Sequence, residues 1–286
     1  MSDPFKIDSH TCISFSGGRT SAYMLWRVLQ SNGGLPPEAI VCFANTGKEE
    51  EATLRFVRDC GLHWNVPIFW VEYRNDDVGY AVVDFDTASR NGEPFEAIIN
   101  QRGNIGGSLP SPIARYCSSE LKTRTMKKYL RFAGFAEWDT FCGIRADEPR
   151  RVAKFRGNPN PEGKHETLCI PLADSNISSQ DVGQFWRSNT FDLELPNLNG
   201  KTIHGNCDLC FLKTTSAIIS LIAEKPNRAM WWAEQEKRAE SRTNGNGSRF
   251  RIDRPNYAAM LKNASDQADA FGYDAEEEAI PCFCGD

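Results

Sequence analysis

The sequence predicts an α/β fold: a parallel sheet covered by helices, then a smaller, mainly helical C-terminal appendage. Short apolar runs alternate with helix-period segments through the first 75 residues. One of those runs, Ala39–Ala44, is apolar throughout, as in a strand buried on both faces. After the loop Gly157–Pro161 the pattern turns helical. Residues 1–156 are therefore read as one domain, and 157–286 as a helical, cysteine-containing region packed on it.

The elements follow in order. Thr11–Phe15 is a β-leaning run that ends in the turn Ser16-Gly17-Gly18. Ala22, Leu25, Trp26 and Leu29 then recur on one helix face, and Asn32-Gly33-Gly34 with Pro36-Pro37 stops that helix. Asn45-Thr46-Gly47 leads from the second strand into a second helix, Glu49–Cys60, closed by Gly61. Pro67–Tyr73 is a third strand and Trp138–Ile144 a further one. Ligands of such sheets bind at the carboxyl ends of the strands, which sets Ser16–Ser21 and Asn45–Lys48 side by side at one rim. Helices are expected over Asp181–Ser188, Thr215–Ala223, Arg228–Ala239 and Tyr257–Ala264, with Arg242–Arg249 a polar loop. Trp186 and Trp231-Trp232 are expected in the core of this appendage.

Hydrophobic residues make up 40% of the 286 and charged residues 25%, an ordinary globular mix that excludes disorder as the dominant state. No run approaches the ~20 apolar residues of a membrane helix. The start, MSDPFKIDSH, does not read as a secretory signal, so a cytoplasmic, reducing location is expected. The net charge of −5 argues against a generic nucleic-acid coat. Ten cysteines in such a compartment point to metal binding or chemistry rather than disulfides.

The segment Ser14–Ser21 reads SFSGGRTS. Glycines between a strand and a helix let the backbone approach an anion, and the helix start turns free N–H groups toward it. Ser16, Thr20 and Ser21 add hydroxyls, and Arg19 a fixed charge. The pattern is neither a Walker A loop nor a dinucleotide G-x-G-x-x-G.

Ser16–Ser21 resembles the PP-loop, usually SGG-x-D-S, of the adenine-nucleotide α-hydrolase superfamily. Phe43–Glu49 (FANTGKE), Arg115–Lys122 (RYCSSELK) and Gly143–Arg151 (GIRADEPRR) resemble segments of its phosphoadenosine phosphosulfate (PAPS) reductase branch, in the family's order. Together they cover roughly residues 11–155, and the whole chain resembles bacterial and phage members with a cysteine-rich tail. The resemblance implies a parallel-sheet PP-loop domain that binds ATP or PAPS/APS. Its implied nucleotide contacts are Ser14, Ser16, Gly17, Gly18, Arg19, Thr20, Ser21, then Asn45, Thr46, Gly47, Lys122, Gly143, Arg145 and Arg151. Thr20 stands where the family usually has an Asp linked to magnesium and pyrophosphate, which weakens the case for ATP cleavage.

Two basic segments suit an anionic ligand: Lys122 to Arg131, and Arg145 to Arg156. Arginine grips phosphate or sulfate in a bidentate fork. Arg145, after the fourth strand, should stand at the same rim as the glycine turn, while Glu148 either orders these arginines or binds a metal.

Cys207 and Cys210 form a C-x-x-C; Cys282 and Cys284 lie at the C-terminus; Cys117 precedes the basic helix. Four thiolates from these segments suit zinc or an iron–sulfur cluster. The resemblance tips the choice to a 4Fe-4S cluster held by Cys117, Cys207 and Cys210, with Cys282 or Cys284 as fourth ligand or an open iron. Cys284-Gly285 also faintly matches the family's catalytic tail segment, which makes Cys284 a rival nucleophile beside Arg145. Cys12, Cys42 and Cys142 read as buried small hydrophobes, and His204 as a polar loop residue in preference to a ligand or supporting donor beside the C-x-x-C.

Three functions fit. In the first, a PAPS-reductase-like enzyme releases sulfite, with Cys284 attacking sulfur and a thioredoxin-like protein as reductant. In the second, an ATP-dependent sulfurtransferase modifies nucleic acid or a small molecule. In the third, a nucleotide-binding module carries structural zinc and has no activity. Nothing in the sequence sets an oligomeric state.

Overall fold

The computed structural model describes residues 3–104, 107–161, 163–197, 202, 204–205, 207–243 and 247–266. Six strands form one sheet in the order β4-β3-β2-β1-β5-β6. At its centre lies β1 (Thr11–Ser14), parallel to β2 (Ala39–Asn45) on one side and to β5 (Trp138–Cys142) on the other. The chain fills the β2 and β3 (Ile68–Tyr73) side first and then returns to add β5 beyond β1. That reversal opens a crevice at the carboxyl ends of β1 and β5, where ligands of such sheets sit.

Alternation along the central strands fills both faces. Ile13, Phe15, Val41 and Phe43 join the core under α1 (Arg19–Asn32) and α2 (Glu51–Trp64). Cys12, Cys42, Ala44 and Val71 meet α5 (Thr125–Phe132) on the other face. Between lie α3 (Glu93–Asn104) and the short α4 (Tyr116–Ser118), which runs through a π-helical segment, Ser119–Arg124, into α5.

Past β5 come α6 (Pro149–Gly157), β6 (Glu166–Cys169), α7 (Pro171–Asp174) and α8 (Ser179–Ser188). α8 begins with a capping box, Ser178 and Asp181 closing each other's backbone donors. Three further helices, α9 (Thr215–Glu224), α10 (Arg228–Thr243) and α11 (Tyr257–Asp266), share a second core with α3, built on Phe95, Phe211, Trp232, Phe250 and Tyr257. None of the described helices is long and apolar enough to cross a membrane.

Several expectations change. Gly61 does not close the second helix; it lies inside α2, where a Cβ would stand 3.2 Å from the Val66 carbonyl, and left-handed Asn65 ends the helix at φ 51°. The third helix of the C-terminal part runs to Thr243, past the expected stop at Ala239. The sheet also gains an antiparallel edge strand, β4 (Tyr80–Val83), and draws β6 from beyond residue 157. Trp186 belongs to the sheet's core rather than to the appendage: it packs edge-on to Phe56, and its Nε1 donates to the Arg19 carbonyl at 2.9 Å. Trp232 is fully buried in the helical core, as expected.

Candidate functional site

The β1–α1 turn is built by glycine. Gly17 has φ +79°, and a Cβ there would stand 2.7 Å from Thr53 Cγ2 and 3.2 Å from Phe43. Neither the conformation nor the space admits a side chain. Gly18 caps α1 with no side-chain bond to its first turn, which leaves helix N–H groups toward the turn. Ser16 donates to Ser21 Oγ at 2.9 Å, and Ser21 donates to the Gly18 carbonyl at 3.0 Å. These hydroxyls lock the loop's shape.

β5 delivers the second half. Gly143 approaches α1 so closely that a Cβ would lie 3.2 Å from Ser21 Cα. Two residues on, Arg145 Nη1 donates to Thr20 Oγ1 at 2.9 Å, its Nε meets Asp147 at 3.0 Å, and its backbone N–H donates to Glu148. Glu148 also binds Arg151. Burial raises the Asp147 carboxyl, but bonds from Ser179 and the Arg145 charge outweigh this and hold it below its ordinary value. A cavity of about 40 Å³ lies over the turn, lined by Ser16 to Thr20 and Arg145.

Arg19 lines this cavity and also holds a carboxylate from far along the chain. Its guanidinium forks onto Asp192 at 2.7 and 2.8 Å and donates to the Leu193 and Leu195 carbonyls. That pair holds the 192–195 strap over α1; Arg145, itself paired with Asp147, is the second arginine lining the turn's cavity.

The β2 rim faces elsewhere than expected. Asn45 is fully buried; its Nδ2 donates to Glu72 at 2.7 Å and to the Ser89 carbonyl, and its Oδ1 accepts the Gly47 N–H. It shapes the turn rather than lining the cavity. Gly47, at φ +76°, lies against Gly92, where a Cβ would be 3.0 Å from backbone. Thr46 donates to Glu49 at 2.8 Å and stands 3.4 Å from Cys207 Sγ. Buried Lys48 pairs with Asp208 at 3.0 Å, accepts the Asp208 N–H at its carbonyl, and lies over the Trp231 ring. A β-bridge joins Glu49 to Cys207. The rim is thereby fastened to the C-x-x-C.

Cys117, Cys207 and Cys210 line one cavity of about 20 Å³ together with Thr46 and Lys122. Burial raises the Cys207 thiol, Glu49 adds to the rise, and Lys122 opposes it. The Glu49 Oε1 is buried, accepts no hydrogen bond among the described groups, and faces the Lys122 ammonium at 3.5 Å. Among the described residues no three Cys, His, Asp or Glu side chains stand at metal-binding spacing. Cys282 and Cys284 lie outside the described residues. By donor type, sulfur from Cys117, Cys207 and Cys210 matches zinc or an iron–sulfur group, but their spacing among the described residues is not that of a metal site. His204 meets Glu224 at 2.8 Å instead of the cysteines. Cys12 and Cys42 are buried, and burial pushes the Cys142 thiol up to about 12.

Two features escape sequence reasoning. The π-helical turn, a geometry frequent at functional sites, aims Lys122 at the cysteines, and nothing in SELKTR announces it. The Lys48–Asp208 pair joins residues 160 positions apart, each of which reads locally as an ordinary surface charge. Ser14, expected at the nucleotide, lines a third cavity on the α5 side of the sheet.

The chain is 31% identical over 219 residues to the uncharacterized nin region protein ORF290 of Escherichia phage lambda, across 72% of this chain and 67% of the phage protein. The chain belongs to the family of that phage protein. It is also 26% identical over 168 residues to the uncharacterized protein MJ0066 of Methanocaldococcus jannaschii, across 58% of this chain and 29% of that one. No protein-family model matches. Among solved structures, the U34-tRNA thiolase NcsA from Methanococcus maripaludis with its 4Fe-4S cluster aligns over 96% of this chain and 77% of its own, at TM-score 0.33 and 13% identity.

Proposed function

We propose that the chain is a PP-loop-type enzyme that activates an acceptor with ATP at the glycine turn and delivers sulfur from the neighbouring cysteine cavity. The reading rests on this chain's own residues rather than on the loose superposition above. The observation that carries it is the shared rim. Thr46 lies one residue past β2 and lines the cysteine cavity, while the Ser16–Thr20 turn follows the adjacent strand β1.

In this reading the helix N–H groups of the turn and Arg145 hold the phosphates. An acceptor oxygen attacks the α-phosphorus, and pyrophosphate leaves. A sulfur nucleophile then adds at the activated carbon, and AMP leaves with the oxygen. Cys117, Cys207 and Cys210 would hold an iron–sulfur or zinc group, which supplies a binding site for sulfide. Cytoplasmic location and a nucleic-acid acceptor belong to the same proposal.

Charge balance favours transfer over PAPS reduction. Arg19, Arg145 and Arg151 are each paired with a carboxylate: Asp192, Asp147 or Glu148. What supports a magnesium nucleotide is the pair of carboxylates beside the turn, Asp147 and Glu148, which an arginine-only sulfate site would not need. The test is calorimetric titration of anaerobically purified protein with ATP and, separately, PAPS. Tight ATP and weak PAPS binding is expected. The reverse order would overturn the transferase and install the reductase.

A further inference from the structure

A cavity of about 210 Å³ lies on the α5 face of the sheet and takes no part in the chemistry above. It falls between two apolar clusters. Met126 and Leu130 of α5 belong to one, Phe155 of α6 and Leu168 of β6 to the other, and their side chains do not close the gap. Protein interiors hold few voids larger than a water molecule, so a gap of this size is built to be filled. It is smaller than the ~300 Å³ where pockets for whole drug-sized ligands begin, and suits one planar ring system.

Its polar group is specific. Glu166 and Lys127 are both nearly fully buried and stand 2.6 Å apart. Glu166 Oε1 accepts the Thr140 hydroxyl at 2.8 Å, and Oε2 is the atom that meets the Lys127 ammonium. A carboxylate acceptor beside an ammonium donor, set among apolar walls, complements the adjacent N–H and carbonyl or imine positions on the edge of a nucleobase. At the mouth, Lys154 is exposed, in place to meet a sugar phosphate.

We infer that this cavity is a nucleobase pocket. Its position fits both sources of a base in the proposed reaction. Ser14 on its wall is two residues from Ser16 of the glycine turn, and Thr123 on its wall follows Lys122 of the cysteine cavity. The base belongs either to the bound nucleotide or to a nucleic-acid acceptor. The choice of a base over other planar rings rests on the function proposed above; the pocket itself rests on the cavity.

The test measures binding of inorganic tripolyphosphate, ATP and a single-stranded RNA oligonucleotide of mixed sequence, to the full chain and to Leu168→Trp, which fills the cavity. Tripolyphosphate should bind both alike. At least one base-bearing ligand should weaken by roughly tenfold or more, the scale of one lost base–aromatic contact. A loss confined to ATP gives the base to the nucleotide; a loss confined to RNA gives it to the acceptor. Lys154→Glu, on the surface, should weaken the same ligand and decides the question if Leu168→Trp melts early. Unchanged binding of both base-bearing ligands by folded variants overturns the pocket and leaves the proposed function standing. Wild-type protein that binds RNA through the cavity but neither ATP nor tripolyphosphate does the opposite. Wild-type protein that binds no base-bearing ligand sinks both.

Discussion

Arg145 illustrates how the place of one residue can be read from its position in the sequence. It follows a strand beside the glycine turn, and it meets Thr20 at 2.9 Å. A hydrogen bond to a charged group contributes ~1.5–3 kcal/mol, so Arg145→Ala is expected to weaken ATP binding by roughly 10- to 100-fold in calorimetry. Unchanged affinity would reduce Arg145 to a brace for the turn. Arg19 is the counterpart: the same residue type, in the turn itself, is paired with Asp192, which lies 173 positions later. Asp147 carries a pH signature. Its folded carboxyl titrates below its ordinary value of 3.8, so its stabilising effect is complete above that value. It is lost as pH falls through the lower folded value. The gap in urea midpoint between the protein and Asp147→Asn should therefore be open at neutral pH and close on acidification; a gap that widens in acid would refute the assignment.

Among the elements, the join between the β2 rim and the C-x-x-C rests on a buried ion pair. Removing one partner of such a pair leaves an uncompensated charge and costs ~3–5 kcal/mol, whereas replacing both by apolar groups is often nearly neutral. Asp208→Ala should lower the urea midpoint sharply and speed alkylation of Cys207 and Cys210. Lys48→Met with Asp208→Leu should recover most of the midpoint. Equal destabilisation by the single and double variants would show that the pair is not what fastens the segment. The π-helical turn works beside it, since its extra residue per turn sets Lys122 toward the cysteines while Thr123 walls the neighbouring cavity.

For the molecule as a whole, the cysteine cavity sets the expected metal content. Anaerobically purified protein should carry iron or zinc, and Cys207→Ser and Cys210→Ser should each lose it by elemental analysis. Full occupancy in both variants would remove the C-x-x-C from the ligand set. The central β-α-β-α-β part of the fold was legible because its strands are apolar on both faces and its helices keep one apolar stripe. β4 was not: YAVV is a four-residue edge strand, half exposed, with little pattern to read. β6 was hidden by the loop before it, which reads as a boundary although the sheet continues beyond it. At the site, the glycine turn and Arg145 were legible because local geometry requires them. The pairing of Arg19 and the closure of the β2 rim were not, because both are decided by residues more than 150 positions away.

The distance between Thr46 and Cys207 also has a meaning in time. A ribosome has made all six strands, β1 to β6, before it reaches residue 207, so the strand ends of the glycine turn can form while the rim beside them is still open. Lys48 then waits for Asp208, with 160 residues yet to be synthesised or placed. The half proposed to hold the nucleotide is the early product of translation, and the half proposed to deliver sulfur the late one. A chain stalled or cleaved after β5 would thus retain the turn and be unable to complete the chemistry proposed for it.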